Sequence, residues 1–245
     1  MKTKILTSCV VIAGYSFIAG NCLALTPVSD DFKGASLNTK LWKISNFENA
    51  RLRQSSGRLN FTIGPKTHPE EDYAFAQLVN NQPGFNESWQ VTLDVANTAA
   101  KGKRVGVGFW IFNADDPSDT VFFEFYGKGK GANGGFNVSF VLDGQHVGAD
   151  LWRNPNVSSG SLRITFNKQT KLFTFYCDRS GSGGGYQWTR IGTFSPTGVG
   201  GDRRAKWQMN PGSGRFGIRL EGFGEQSLVS GGKATMDNFV LRASN

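Results

Sequence analysis

The sequence predicts an all-β protein built as an antiparallel sandwich of two sheets. From Trp42 onward, short runs rich in Val, Ile, Phe, Thr, Tyr and Trp alternate with clusters of Gly, Asn, Asp and Pro, which is the pattern of strands and turns. No segment keeps a helical period over about 12 residues. Because so many strands follow one another without helices, a parallel βαβ architecture is excluded and a two-sheet sandwich is favoured.

The N-terminus has the parts of a secretory signal. Two lysines precede an apolar run over residues 5–19, and small residues follow up to Ala24. The apolar run is short for a membrane helix, which needs about 20 residues. We therefore expect residues 1–24 to be removed, residues 25–245 to form one domain without a membrane span, and the protein to be secreted or periplasmic.

Charge and cysteine content narrow the classes of function. The chain has 27 Lys and Arg against 19 Asp and Glu, a formal charge of +8. A basic exported protein is suited to an anionic polysaccharide or surface, although surface charge also serves solubility. Export argues against nucleic acid as a partner. Beyond the predicted signal only Cys177 remains, and the chain has 2 His, so an intramolecular disulfide is excluded and a His/Cys zinc site has too few ligands.

The clearest strand-like runs follow one another along the chain. They are 58–63, 73–79, 89–95, 105–112 and 120–126, and they continue as 136–142, 146–152, 162–166, 172–177, 186–194, 216–223 and 234–241.

Alternation within these strands shows which side chains face away from the core, since successive residues point to opposite faces. The polar side chains predicted on such faces are Glu124 and Tyr126 in the run 120–126, Asn137 in the run 136–142, and His146, Asp150 and Trp152 in the run 146–152. Asp94 and Glu221 are further carboxylates expected on exposed faces. In the run 105–112 the pattern is ambiguous, because Trp110 and Phe112 form one apolar set and the alternate residues form another.

Several short sequence words resemble one superfamily. They are Asp30-Asp31-Phe32, Ser36-Leu37-Asn38, Leu41-Trp42, Gly57-Arg58-Leu59 and Met236-Asp237-Asn238-Phe239. In this order they resemble the bacterial, secreted, laminin-G-like members of the concanavalin A-like lectin/glucanase superfamily. The resemblance covers the chain from residue 25 on and implies a jelly roll whose concave sheet face binds a glycan.

The same resemblance implies a structural calcium ion. Members often hold this ion where the N-terminal segment meets the final strand. The matching positions are Asp237, the carbonyl of Gly57, and a group near Ser29 or Asp30. Oxygen ligands of this kind suit Ca²⁺. The alternative is that Asp237 caps a turn or pairs with a basic neighbour. A second acidic cluster, Asp115, Asp116 and Asp119 around Pro117, resembles a turn and lacks the spacing of an EF-hand loop.

The motifs of related enzymes are absent from the sequence. The glucanase branch carries Glu-x-Asp-x-x-Glu on one strand, and alginate lyases carry Arg-x-Glu-x-Arg and Gln-x-His; none of these three patterns occurs here. If the protein is a hydrolase or lyase, the candidate catalytic residues are Glu124, Tyr126, His146 and Asp150, because cleavage needs paired carboxylates or a positioned base.

The prediction is therefore a secreted lectin-like protein that binds a polysaccharide or cell-surface glycan. Aromatic rings stack on sugar faces, while amide, carboxylate and guanidinium groups bind hydroxyls and fix orientation. The predicted ligand-binding residues are Arg104, Trp110, Glu124, Tyr126, Asn137, His146, Asp150 and Trp152. Two alternatives remain open: a polysaccharide-cleaving enzyme that uses the same groove, and a structural or protein-binding cell-surface module.

Overall fold

The chain folds almost entirely into β-strands. The structure, a computed structural model, describes residues 25–65, 72–99, 104–127, 135–224, 228 and 230–244. In the first half the strands are β1 (Val28–Asp30), β2 (Trp42–Asn46), β3 (Ala50–Ser55), β4 (Arg58–Ile63), β5 (Asp72–Leu78), β6 (Trp89–Asn97), β7 (Val105–Asn113) and β8 (Thr120–Tyr126). They continue as β9 (Gly135–Leu142), β10 (Gln145–His146), β11 (Leu151–Arg153), β12 (Ser159–Asn167), β13 (Leu172–Asp178), β14 (Thr189–Ser195), β15 (Arg203–Arg204), β16 (Phe216–Gly224) and β17 (Ala234–Ala243). The helical content of this region is one short 3₁₀ turn at Ser182–Gly184.

The strands form two sheets that pack face to face. The first sheet has the order β15-β14-β13-β12-β6-β17-β4-β3, with β1 beside β17. The second has the order β10-β9-β8-β7-β16-β5-β2, with β11 beside β9. Neighbouring strands are antiparallel except β14 and β15. The predicted two-sheet antiparallel sandwich is confirmed.

Aromatic side chains fill the space between the sheets. Trp89 and Phe166 are neighbours on the first sheet, and the ring centroid of Phe216, on the second sheet, lies 5.6 Å from that of Trp89 and 4.8 Å from that of Phe166. All three side chains are fully buried. Truncating a buried ring of this size to Ala typically costs about 3–5 kcal/mol, so these contacts fix how the two sheets face each other.

The structure differs from the prediction at several places, and the predicted runs did not include β1, β2, β3 or β15. The single strand expected over residues 146–152 is broken into β10 and β11, and Gly148 between them has φ +74°, a left-handed conformation that interrupts a strand. The sequence did not predict β3, because only two of its six residues are apolar and its alternation is too short to stand out.

Among the described residues there is no helix with the length and apolar character needed to cross a bilayer. The predicted signal over residues 1–24 lies outside the described residues. Its removal, and the single domain from residue 25 on, stay predictions.

Candidate functional site

The outer faces of the two sheets differ in chemistry. On the first sheet the outer face carries polar side chains such as Gln90, Thr92 and Asp94 on β6, and Arg163 and Thr165 opposite them on β12. A solvent-facing sheet is expected to look like this. The outer face of the second sheet is instead covered by rings, namely Tyr73, Phe75, Trp110, Phe112, Phe122, Tyr126, Trp152 and Phe223. We call this surface the aromatic face. Phe75, Phe112, Tyr126 and Phe223 are buried within it, whereas Trp152 is 41% exposed.

A row of polar side chains crosses the aromatic face. Strand register pairs Trp152 with Asn137, Asn137 with Glu124, Glu124 with Gly108, and Gly108 with Glu221. Paired residues of antiparallel strands point to the same face, so these five residues form one line, the carboxylate row. Gly108 has no side chain, which leaves the two glutamates on either side of a gap, with their Cα atoms about 10 Å apart.

Aromatic rings form one side of the carboxylate row. The Trp152 centroid lies 5.6 Å from Tyr126, and the Phe223 ring meets Tyr126 edge-on at 5.4 Å. Phe223 lies over Gly106, where an added Cβ would come within 2.2 Å of the ring. Glycine at position 106 thus leaves room for the Phe223 ring beside Tyr126, and a larger residue there would make the ring shift.

Tyr126 couples these rings to the carboxylates. Its hydroxyl donates a hydrogen bond of 3.2 Å to Oε2 of Glu124. Burial and the charge of Glu124 raise the pKa of Tyr126 well above its usual value, while Arg104, which precedes β7, acts in the opposite direction. Tyr126 thus stays a neutral hydrogen-bond donor at physiological pH. Glu124 and Glu221 are only 5% and 6% exposed, so a ligand can contact only a small part of each carboxylate.

An arginine forms the other side of the row. The guanidinium of Arg219 lies 4.1 Å from the ring centroid of Phe75, 4.3 Å from that of Trp110 and 4.4 Å from that of Phe112. Its Nε donates to Oε1 of Gln77 at 3.0 Å. Burial lowers the pKa of Arg219, yet an arginine stays charged in proteins. The rings hold this cation in one position by cation–π attraction.

The structure brings together most of the residues that the sequence predicted for a binding site. Glu124, Asn137 and Trp152 share the carboxylate row, and Tyr126 is hydrogen-bonded to it. Arg104 acts electrostatically on Tyr126. Trp110 lies on the same face, half-buried, where it pairs with Phe122 and Arg219. The ambiguous alternation of β7 is thereby resolved, with Trp110 outside and its neighbours Phe109 and Ile111 in the core.

His146 and Asp150 do not join this group. His146 is exposed on the edge strand β10 and pairs with Val141, four residues along β9 from Asn137. Asp150 precedes β11 and is half-buried. Within the described residues, no side-chain hydrogen bond links either one to the carboxylate row. The break at Gly148 removes the regular alternation that had placed both beside Trp152.

Most of the residues of the aromatic face that were missed as site candidates come from β5 and β16; the others are Phe112 on β7 and Phe122 on β8. Glu221 was expected on an exposed face, but nothing local to β16 shows that it lies across Gly108 from Glu124. Arg219 and Phe223 alternate with the buried Ile218 and Leu220, so alternation does assign them to an outer face. Only the pairing of β16 with β7 and β5 shows which face that is.

The residues predicted to hold calcium do not converge. Asp30 pairs with the buried Phe239, and its Oδ2 accepts a 2.9 Å hydrogen bond from the indole of Trp42. Asp237 pairs with Asp94 on the outer face of the first sheet. Its Oδ2 lies 3.9 Å from Nε of Arg58. Because Asp30 and Asp237 lie on opposite sides of the sheet, they cannot bind one ion together; an ion held by Asp237 with the carbonyl of Gly57 stays a prediction.

A different acidic group has the geometry of a metal site. Asp116, Asp119 and Asp143 each place a carboxylate oxygen within 4.8 Å of the others. Asp119 is 1% exposed, and within the described residues its Oδ2 accepts no hydrogen bond. Burial, and to a lesser degree the charge of Asp116, raise the pKa of Asp119. Three oxygen donors at this spacing can hold a hard cation such as Ca²⁺. The sequence had indicated only a turn here. Asp143 comes from the distant turn between β9 and β10, so a local pattern does not show that it joins the group. Asp115 does not take part.

Comparison with known proteins identifies the fold. No protein-family model and no curated protein matches the sequence. Among solved structures, the xyloglucan PUL GH43B protein of Bacteroides ovatus superposes with a TM-score of 0.58 at 15% identity, over 89% of this chain and 40% of that protein. Lectin II from Ulex europaeus matches with a TM-score of 0.54 at 13% identity, over 91% of this chain and 100% of the lectin.

A third match is a structure described under endo-acting O-glycanases of the human gut microbiota, with a TM-score of 0.55 and 14% identity. It covers 89% of this chain and 99% of that protein. At such identities these matches establish architecture and leave the activity open. The chain has the jelly-roll fold of the concanavalin A-like lectins and glucanases.

Proposed function

We propose that the protein is exported and binds a carbohydrate on its aromatic face. The observation that carries this proposal is the contrast between the two sheets: one outer face is polar, whereas the other combines rings with a carboxylate row. Sugars need both kinds of group, since their C–H faces stack on rings while their hydroxyls form hydrogen bonds.

The arrangement of charges suits sugar hydroxyls. Glu124 and Glu221 accept hydrogen bonds, and the amide of Asn137 offers both donor and acceptor. Asn137 is 2% exposed, and within the described residues its Oδ1 has no hydrogen-bond partner. A buried carbonyl oxygen of this kind is costly unless a ligand or water pairs with it. Trp152, at 41% exposure, supplies an open ring at the end of the same row.

Proteins with this fold support the proposal by analogy. The Ulex europaeus lectin has been solved in complex with galactose, the Bacteroides ovatus protein belongs to a xyloglucan system, and the gut glycanases act in mucin breakdown.

A calcium ion at Asp116, Asp119 and Asp143 would hold the loop between β7 and β8. Thr120, which follows that loop, accepts a 2.9 Å hydrogen bond from the indole of Trp110.

The test is binding to neutral polysaccharides by native affinity electrophoresis. Trp152→Ala and Phe122→Ala each remove a ring from the aromatic face, and we expect at least about tenfold weaker binding from such losses. Tyr176→Ala is the control. Tyr176 is a half-buried ring on the outer face of the first sheet, where it pairs with Arg163 on β12. Equal loss in all three variants, or no loss in any folded variant, would refute the proposal.

Cleavage of the glycan is the second candidate, favoured by the two glutamates that flank Gly108. Glycosidases use two carboxyls, about 5–5.5 Å apart in retaining enzymes and 6.5–9.5 Å apart in inverting ones. The side chains of Glu124 and Glu221 extend from Cα atoms about 10 Å apart on one face, and they can place their carboxyls at either of these separations. Glu124→Gln and Glu221→Gln would abolish the release of reducing ends while the folded protein keeps its melting temperature. No release by the unchanged protein from any polysaccharide that it binds would exclude this activity.

A further inference from the structure

A cleft of about 740 Å³ opens at one corner of the sandwich. Its walls are β11 with the residues after it, at the edge of the second sheet, and the ends of β13 and β14 in the first sheet. Trp152, Arg153, Arg179, Gln187 and Trp188 are among the residues that line it. The volume suits one or two sugar residues, since ligand pockets typically measure about 300–1,000 Å³. We call it the corner cleft.

The corner cleft carries a net positive charge, because two arginines line it against one carboxylate, that of Asp178. Arg153 and Arg179 are exposed, and within the described residues neither side chain forms an ion pair or a hydrogen bond. The carboxylate of Asp178, which also lines the cleft, is already engaged. It accepts hydrogen bonds from the backbone N–H and hydroxyl of Ser180, at 2.8 Å and 2.7 Å, and from the backbone N–H of Gln187.

Tryptophans on two sides of the cleft are held in place by neighbours outside it. Trp152 packs on Tyr126 at 5.6 Å. Trp188 stacks on Tyr186, with centroids 4.7 Å apart and planes at 21°, and the guanidinium of Arg163 lies 4.5 Å from its ring. Because each ring is already braced, a ligand that stacks on it need not immobilise a mobile side chain, which lowers the cost of binding.

We infer that the corner cleft binds a sugar residue that carries a carboxylate or sulfate group. This inference rests on the proposed function and extends it, because Trp152 belongs both to the aromatic face and to the cleft. The two arginines of the cleft attract an anionic substituent and can each donate two parallel hydrogen bonds to its oxygens. A charged glycan would therefore lie with its neutral part across the aromatic face and its anionic residue in the corner cleft.

The experiment compares matched pairs of polymers that differ only in charge. One pair is methyl-esterified pectin and the same pectin after de-esterification, which tests a carboxylate. The other is a desulfated carrageenan and its native sulfated form, which tests a sulfate. Titration calorimetry at 150 mM salt limits unspecific attraction, since exposed charges are screened beyond about 8 Å at that ionic strength.

The decisive variant is Arg153→Gln/Arg179→Gln, and the control is Arg53→Gln/Arg204→Gln. The control removes the same charge from exposed positions on β3 and β15. We expect the unchanged protein to prefer a charged polymer over its neutral partner by about tenfold. The cleft variant should lose this preference while it still binds the neutral polymer, and the control should keep it.

The outcomes separate this inference from the proposed function. Binding of neutral polymers with no preference for either charged partner refutes the corner cleft and leaves the aromatic face standing. Equal loss of preference in the cleft variant and the control shows general charge attraction and likewise refutes the inference. Failure of the unchanged protein to bind any of the polymers refutes both proposals. The identity of the preferred pair distinguishes a carboxylate from a sulfate.

Discussion

Replacement of Asp119 by Asn tests whether the group of Asp116, Asp119 and Asp143 is a metal site. Asp119 is 1% exposed, its Oδ2 accepts no hydrogen bond within the described residues, and burial together with Asp116 raises its pKa. A carboxylate whose pKa is raised on folding destabilises the folded state when it is ionised. Without metal, the free energy of unfolding should therefore rise as the pH falls from neutrality through the folded pKa toward the unfolded value near 3.9.

The size of the effect follows from the buried oxygen. Leaving a buried polar atom unpaired costs about 1–3 kcal/mol, and an Asn amide would turn repulsion from Asp116 and Asp143 into hydrogen bonds. We expect Asp119→Asn to stabilise the metal-free protein by about 1 kcal/mol, which raises the melting temperature by roughly 2–4 °C in a domain of this size. Saturating calcium should make the unchanged protein the more stable of the two. At a concentration one hundred times its Kd, calcium stabilises the unchanged protein by about 2.7 kcal/mol, and the variant loses that gain.

The assay is calorimetric melting in EDTA and in millimolar calcium. The order of melting temperatures should reverse, with the variant higher in EDTA and the unchanged protein higher in calcium. Asp115→Asn is the matched control, because Asp115 lies in the same loop, is exposed, and does not belong to the group. A variant less stable than the unchanged protein in EDTA would refute the reasoning about burial, and melting that ignores calcium would refute the calcium site.

Three further predictions concern packing and buried polar groups. Gly106→Ala should lower the free energy of unfolding by about 1–3 kcal/mol, because the added Cβ would lie 2.2 Å from the Phe223 ring. Gly183→Ala is the control and should change little, because the space around Gly183 is open. Equal urea midpoints for the two variants would contradict the close approach. Tyr126→Phe removes the hydrogen bond to Glu124 and should cost about 1.5 kcal/mol in urea unfolding, and a neutral result would mean that the hydroxyl is not needed there. Burial raises the pKa of Cys177 to about 11, so its reaction with iodoacetamide at pH 8 should be slow in the folded protein and fast in denaturant; comparable rates would show an accessible thiolate.

The sequence predicted those parts of the site that local alternation can show. Glu124 and Tyr126 alternate with the fully buried Val121, Phe123 and Phe125, so their shared outward face follows from the pattern of β8 alone. The prediction that Trp152 lies on such a face also holds, although its strand is shorter than expected.

The rest depends on pairing between distant parts of the chain. Glu221 joins Glu124 only because β7 lies between β16 and β8 with Gly108 in register with both. Asp143 reaches Asp119 from a separate turn. Register of this kind is fixed by packing across the whole sheet, which a single strand does not encode. The position of Asp30 depends on pairing in the same way, since the pairing of β1 with Phe239 turns its side chain toward Trp42.

The most direct test of the central claim is affinity electrophoresis of the protein and its Trp152→Ala variant through gels that contain single polysaccharides. The account predicts that at least one polysaccharide retards the unchanged protein and that the variant, with the same melting temperature, migrates freely or nearly so. Equal retardation of both proteins in every gel, or no retardation in any gel that contains a neutral or charged polysaccharide, would contradict carbohydrate binding on the aromatic face.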